Sequence, residues 1–392
     1  MNILFITAEL PFPSNSGARI YTWERIKQLA KYNEINLISL RENNEKVEKA
    51  EILKYCRKFK VFERKKDYIY ILRNIVKPYS MISRYNNNIY NYIKEEEHKY
   101  DLIILDSLHM ILNIPHDVKT KVLLTQHNIE WRAFKSISDN SKNLIKKNIF
   151  LIESLKLKIY EKKVYRGKKI SGYTFISEED KNELEKTFRL PNTILINSGM
   201  NLNLLELNKK KYILSKNKEY FNIVFSGKMN YEPNVQAVEW FISEIWEDIK
   251  NKIPNVKFYI VGRDPVESIV NINDPNIIIT GEVESVLPYL ENATLVVIPL
   301  LSGGGVKIKL IEALSTANVV VTTKKGSEGT KFKDKIHLLI ANDSKEFSKK
   351  CIDVINDIDS YNQIVLEAQE LLKREYCWEK IGIKYQQFIE NL

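Results

Sequence analysis

The chain has 392 residues, 44% hydrophobic and 28% charged, a composition ordinary for a soluble globular protein and a length that suits two domains. No apolar run reaches the roughly 18 residues a spanning helix needs, no charged leader precedes the first strand, and Cys56, Cys351 and Cys377 are too widely spaced for a disulfide framework or a metal site. A cytoplasmic protein is expected. The net charge of +10 is lopsided: residues 1–200 carry 36 Lys and Arg against 24 Asp and Glu, and residues 201–392 carry 24 against 26.

In chain order, Asn2 to Thr7 reads as a strand, Ala8 to Ala18 as a loop with two prolines and Gly17, Arg19 to Tyr32 as a helix, and Ile35 to Leu40 as the next strand. A loop at the carboxyl end of a first strand lies at the usual ligand crevice of an open α/β sheet, and Gly17 is a point of close approach there or simply a turn glycine. Residues 42–99 read as helical, basic and aromatic, without strong strand signals. Leu102 to Leu105 and Lys121 to Thr125 are buried strands; the first ends at Asp106, read as a cap, and the second runs into His127. A histidine at a strand's carboxyl end is a functional candidate, although a lone histidine is more often structural. One long basic helix is predicted over 141–166, and strands over 171–176 and 193–196 with a capped helix between them at Ser177. Residues 202–219 form the interdomain linker.

The same grammar then restarts. Strands are predicted at 222–226, 257–261 and 276–280, each followed by glycine, with Gly227-Lys228 after the first. Leu295 to Leu301 is an apolar, β-branched run of the kind buried on both faces; Gly303, Gly304 and Gly305 follow, then an amphipathic helix from Val306 to Ser315 and a strand from Val319 to Thr323. Strand, glycine loop, helix and strand make a βαβ unit. Glycines let backbone N–H groups approach a ligand while the helix aims its positive end at it, which suits a phosphate or diphosphate. Lys309 and Glu312, three apart, share one helix face. One is suited to phosphate charge and the other to sugar hydroxyls; the alternative is a glycine turn before a surface helix. A short helical region containing His337 and a helical tail over 345–392 complete the chain. Asp357 and Asp359 have metal-binding spacing but fall in that tail, where a solvated helix end is expected.

Two basic stretches, Lys54 to Arg73 and Lys142 to Lys169, interleave cations with Tyr, Phe, Ile and Leu. Such segments suit an anionic membrane surface or a phosphate-bearing partner; no helix-turn-helix, zinc or RNP-type signature accompanies them, so nucleic acid is not expected. A solvated helical face is the competing explanation.

Seven segments in order make the chain resemble the GT-B fold glycosyltransferases of family GT4, the bacterial glycosyl transferases group 1. They run from PxPSNSG at Pro11 to Gly17, through QHNIEW (Gln126 to Trp131), FISEED (Phe175 to Asp180) and NSGMN (Asn197 to Asn201), to FSGKMNYEPN (Phe225 to Asn234), VGRDP (Val261 to Pro265) and IPLLSGGGVKIKLIEALS (Ile298 to Ser315). VVVTTKKGSEG to Gly329 and the aromatic pair Tyr376 and Trp378 extend the match. The resemblance implies an α/β chain of two Rossmann-like domains facing across a cleft. These are an acceptor-binding domain at 1–205, a nucleotide-sugar-binding domain at 206–372, and a last helix at 373–392 returning to the first domain. It also implies site roles. Gly17 approaches the donor phosphate, His127 contacts the transferred sugar, and Lys228 and Lys309 neutralise the leaving diphosphate. Glu312 binds the ribose, and Gly227, Gly303, Gly304, Gly305 and Gly326 line the donor.

One departure bears on mechanism. Gly304 stands where the family carries the first glutamate of E-x7-E, the residue that meets the donor sugar, and backbone N–H groups are the remaining candidates for that task. The family's Gly and Pro after this helix are Ala317 and Val319 here. The implied reaction is retaining transfer of a sugar from a UDP- or GDP-linked donor to a glycan or polyprenyl-linked acceptor in surface polysaccharide assembly, with no metal or other cofactor. A sugar-nucleotide epimerase of the same fold, and a catalytically weak binding protein, remain as alternatives.

Overall fold

A computed structural model describes residues 1–14, 16–42, 45–64, 68–141, 143–200, 220–304 and 306–392. The chain forms two compact units. The first comprises residues 1–138, 144–197 and 378–392, and the second residues 139–143 and 198–377.

The first unit is built on seven strands: β1 (Asn2–Thr7), β2 (Glu34–Arg41), β3 (Lys58–Glu63), β4 (Leu102–Leu105), β5 (Lys121–Gln126), β6 (Gly172–Phe175) and β7 (Thr193–Leu195). All pair in parallel, in the order β3-β2-β1-β4-β5-β6-β7. Its helices are α1 (Gly17–Ala30), α2 (Lys49–Ile52), α3 (Tyr68–Arg73), α4 (Tyr79–Ile82), α5 (Asn87–Glu96), α6 (Glu130–Asn140), α7 (Leu144–Arg166) and α8 (Glu178–Phe188). The central strands are apolar on both sides: all four residues of β4 are buried, as a strand covered by helices on both faces requires.

The second unit has six parallel strands: β8 (Phe221–Ser226), β9 (Val256–Val261), β10 (Ile277–Gly281), β11 (Leu295–Ile298), β12 (Val320–Thr322) and β13 (Leu339–Ile340). Their order is β10-β9-β8-β11-β12-β13. The helices are α9 (Glu232–Phe241), α10 (Glu247–Lys252), α11 (Glu267–Val270), α12 (Leu287–Asn292), α13 (Ile308–Ser315), α14 (Lys324–Ser327), α15 (Ser344–Asn356) and α16 (Asn362–Glu375). A last helix, α17 (Trp378–Glu390), packs with the first unit. Both sheets reverse direction once, between β1 and β4 and between β8 and β11. Loops leaving the carboxyl ends of strands at such a switch point form the ligand crevice of doubly wound sheets.

Three expectations need correction. Residues 42–99 contain a strand, β3: its Lys-Phe-Lys-Val-Phe-Glu alternation exposes Lys58, Lys60 and Glu63, the charged decoration of a sheet edge, which reads as a basic cluster when the pairing is unseen. The helix expected over 141–166 is α7, and a further helix, α6, precedes it from Glu130. His337 precedes the edge strand β13 and lies outside any helix; its Nδ1 accepts from the Lys333 N–H at 2.9 Å. Strand β11 ends at Ile298, three residues early, and Thr323 holds the following turn through a 2.5 Å bond from its hydroxyl to the Leu300 carbonyl. The linker expected at 202–219 lies outside the described residues.

Candidate functional site

In the second unit the switch point brings together the loop after β8, carrying Gly227 and Lys228, and the glycine loop after β11. Gly303 sits at φ +96°, a conformation glycine adopts at little cost, and turns the chain toward α13. The Ser302 hydroxyl donates to Gln236 Oε1 at 2.6 Å, anchoring that turn to α9. Gly304 is half-buried and its carbonyl accepts from Lys307 Nζ at 2.8 Å. Gly305 lies outside the described residues. Helix α13 has no capping side chain and no acidic residue in its first turn, leaving its positive end to an anion.

Lys309, on the first turn of α13, points back at the β8 loop. Its ammonium donates to Asn234 Oδ1 at 2.8 Å and lies 4.1 Å from the centroid of the Phe225 ring. Asn234 Nδ2 donates in turn to the Lys228 carbonyl at 2.8 Å, tying the two loops together. Gly227 is required by this approach: a Cβ there would stand 2.7 Å from Lys309 Nζ and 2.6 Å from Asn234 Nδ2. Burial pushes the Lys309 pKa down to about 7, against the attraction of Glu312. The same burial raises the Glu312 carboxyl, opposed by Lys309. Among the described residues no hydrogen bond reaches the Glu312 carboxylate. Lys309 is therefore a cation held without a bonded counter-ion, and an anion placed beside it would favour its charged form.

Lys228 belongs to the same loop, but its ammonium is directed elsewhere, 3.6 Å from Asp264 Oδ2. Gly326 is accounted for by packing, since a Cβ there would lie 2.8 Å from the Ile298 carbonyl and closer still to the Thr322 hydroxyl. Asp357 and Asp359 are exposed after α15, and Asp357 Oδ2 accepts from the Ser360 hydroxyl at 2.5 Å.

In the first unit Gly17 opens α1, behind a Ser16 cap whose hydroxyl accepts from the Arg19 N–H. His127 follows β5 directly. Its Nε2 lies 2.6 Å from the Asp106 carbonyl oxygen and 3.7 Å from the Asp106 carboxylate, and its ring meets Tyr21 edge-on at 5.4 Å. Nε2–H bonded to a carbonyl leaves Nδ1 as the nitrogen available for other work. Burial works against protonation of His127, but the Asp106 side chain outweighs it and the pKa is raised.

Asp106 is not the simple cap that sequence suggests. Its carboxylate accepts from Arg25 Nη1 at 2.6 Å and from the Thr22 hydroxyl at 2.5 Å, inside the unit. Arg25, 1% exposed, also donates to the Thr125 hydroxyl at 2.8 Å and to the Tyr385 hydroxyl of α17 at 2.7 Å. Burial would raise the Asp106 pKa; His127 and Arg25 overcome it and hold the carboxyl below its ordinary value. The signal available in sequence was Arg25 itself, a cation on the buried face of α1 between Tyr21 and Leu29. Asn234 was the other omission, visible only as a polar residue near a helix start.

Residues 220–357 match the family model described as Glycosyl transferases group 1. Over its full length the chain superposes on sucrose-phosphate synthase from Thermosynechococcus elongatus (TM-score 0.71, 15% identity, 98% of that chain covered). It likewise superposes on Anabaena HepE solved with UDP-glucose (TM-score 0.65, 13% identity, 100% of both chains). An uncharacterised 44.6 kDa protein from the cps region of Klebsiella pneumoniae is 24% identical over 399 residues, 97% of each chain. The protein has the GT-B fold of these neighbours, and the match to the group 1 glycosyltransferase model lies in its second unit.

Proposed function

We propose that the protein is a retaining, GT4-type transferase that moves a sugar from a UDP- or GDP-linked donor to a glycan or polyprenyl-linked acceptor in surface polysaccharide assembly. The observation that carries the reading is the Lys309–Glu312 pair on an uncapped helix at the second unit's switch point, one side chain a cation without a bonded counter-ion and the other a free acceptor. In this reading the donor's diphosphate takes the place opposite the first turn of α13. Charge grows on the leaving diphosphate as the sugar departs, and Lys309, Lys228 and the helix amides stabilise it without a metal. Glu312 accepts hydrogen bonds from the ribose hydroxyls. Gly227, Gly303 and Gly304 keep the backbone low against the donor, with Gly326 behind them, and Gly17 serves the same end in the first unit. His127, steadied by Asp106, meets the transferred sugar. Attack comes from the face the diphosphate leaves, the departing phosphate takes the acceptor's proton, and no protein nucleophile is assigned. Support comes from the neighbour solved with UDP-glucose and from the cps-region relative. The acceptor, on this reading, is presented at the inner face of the cytoplasmic membrane.

Calorimetry against UDP, GDP, ADP, CMP and their sugar conjugates tests the donor site. One nucleoside diphosphate class binds, and Glu312→Ala weakens it about 10- to 100-fold, the loss of hydrogen bonds to a charged group. Silence across the panel removes the reading. Transfer to an acceptor, rather than interconversion of the free donor, separates it from an epimerase.

A further inference from the structure

Helix α7 buries carboxylates on its inward side and leaves isoleucines in water on the other. Its inward side buries Glu153, Ser154 and Glu161 beside Leu157 and Tyr165. Its outward stripe, at helical spacing, consists of Ile145, Ile149, Ile152 and Ile159, each 54–73% exposed. A water-facing helix normally does the reverse. The inward carboxylate of Glu153 accepts from the N–H groups of Tyr79 (3.0 Å) and Ser80 (2.8 Å), and Lys156, in the outward stripe, donates to the Ile75 carbonyl at 2.6 Å. These bonds bring the segment after α3 against the flank of α7. Helix α3 adds Ile69 and Leu72 and the segment after it Ile75 and Val76, 62–82% exposed. The two basic stretches of the sequence thus converge on one apolar face.

Charge tells what covers it. The only acids of α7 are Glu153 and Glu161, both buried, so its exposed charge is all positive: Lys146, Lys147, Lys162, Lys163 and Arg166 flank the isoleucines. Two copies pressed face to face across a two-fold axis would bring these rims together with no α7 acid left to answer them. An anionic bilayer answers both features, taking isoleucine into its acyl boundary and lysine at its headgroups.

We propose that the α3–α7 face is a membrane seat for an anionic lipid surface, with the isoleucines of α7 inserted and its lysines at the headgroups. This rests on the membrane part of the reading above and not on the donor site. The test is co-sedimentation of the full chain, at low salt, with vesicles of phosphatidylcholine alone or mixed with phosphatidylglycerol. Ile149→Ser/Ile152→Ser, Lys162→Glu/Lys163→Glu and the parent are compared, with nucleotide binding and the thermal midpoint as controls for folding. The parent binds the mixed vesicles at least about tenfold better than the neutral ones. Each double variant loses about tenfold or more while keeping its midpoint and its nucleotide affinity. The proposal is overturned if the parent ignores the mixed vesicles, or if the isoleucine variant binds as the parent does. It is overturned too if the parent is a dimer in solution that the isoleucine variant converts to monomer. Nucleotide affinity reads out independently, so failure of the seat and failure of the donor site are distinguishable.

Discussion

Around the switch point of the second sheet stand a half-buried lysine, a carboxylate with no hydrogen-bond partner among the described residues and a glycine turn, whereas the corresponding place in the first sheet is closed by Arg25, Asp106 and Thr22 beneath His127. Strand order around the two points is the same. One loop set is left electrostatically open, so its free energy is available to a ligand. The other is internally paired, so its free energy goes into holding a single histidine in one tautomer. Topology supplies the crevice; the local balance of charge decides whether it binds or positions.

The comparison breaks most visibly through Asp106. Asp106→Ala strands the Arg25 guanidinium in the interior, and we expect a loss of about 3–5 kcal/mol in urea unfolding, the scale for breaking a buried pair. Lys309→Ala does the opposite: kcat/KM for transfer falls about 10²–10³-fold, while the thermal midpoint does not drop, because a half-buried amine with no bonded counter-ion among the described residues has been removed. A fall in midpoint matching that of Asp106→Ala would make Lys309 structural and erase the contrast.

Smaller effects sharpen it. Asn234→Ala releases Lys309 from the β8 loop, and kcat declines by about tenfold, on the scale of a hydrogen bond to a charged group, with little change in stability. Titration is the finest probe. Because the folded pKa of His127 is raised, its contribution to stability is complete below the unfolded value near 6.5 and is lost as pH rises through the folded value. Proton NMR of the His127 ring should show that raised midpoint, and Asp106→Asn should bring it down.

Much of this was legible in sequence. β-branched runs ending in glycine or polar residues marked most strands and both crevices, and the Lys309–Glu312 spacing alone put two groups on one helix face. Long-range pairing was not legible: nothing local says that Arg25 meets an aspartate 81 residues later, or that Asn234 bridges two loops. β3 hid because edge strands wear the charges of surface helices. The exposed isoleucines of α7 hid because its apolar residues lie all around the helix, and only the burial of Glu153 and Glu161 shows which side faces in.

The central claim is that Lys309 awaits an anion, and its titration tests this most directly. With a pKa near 7 in the free protein, Lys309 is charged below that pH and neutral above it, and a bound diphosphate favours the charged form. Calorimetry of a nucleotide sugar, whose diphosphate has no ionisation near neutrality, should show affinity falling as pH rises past 7, with proton uptake on binding. Lys309→Arg, charged throughout, should flatten that dependence. An affinity that does not change between pH 6 and 9 in the parent, or a slope that survives in Lys309→Arg, would contradict the account.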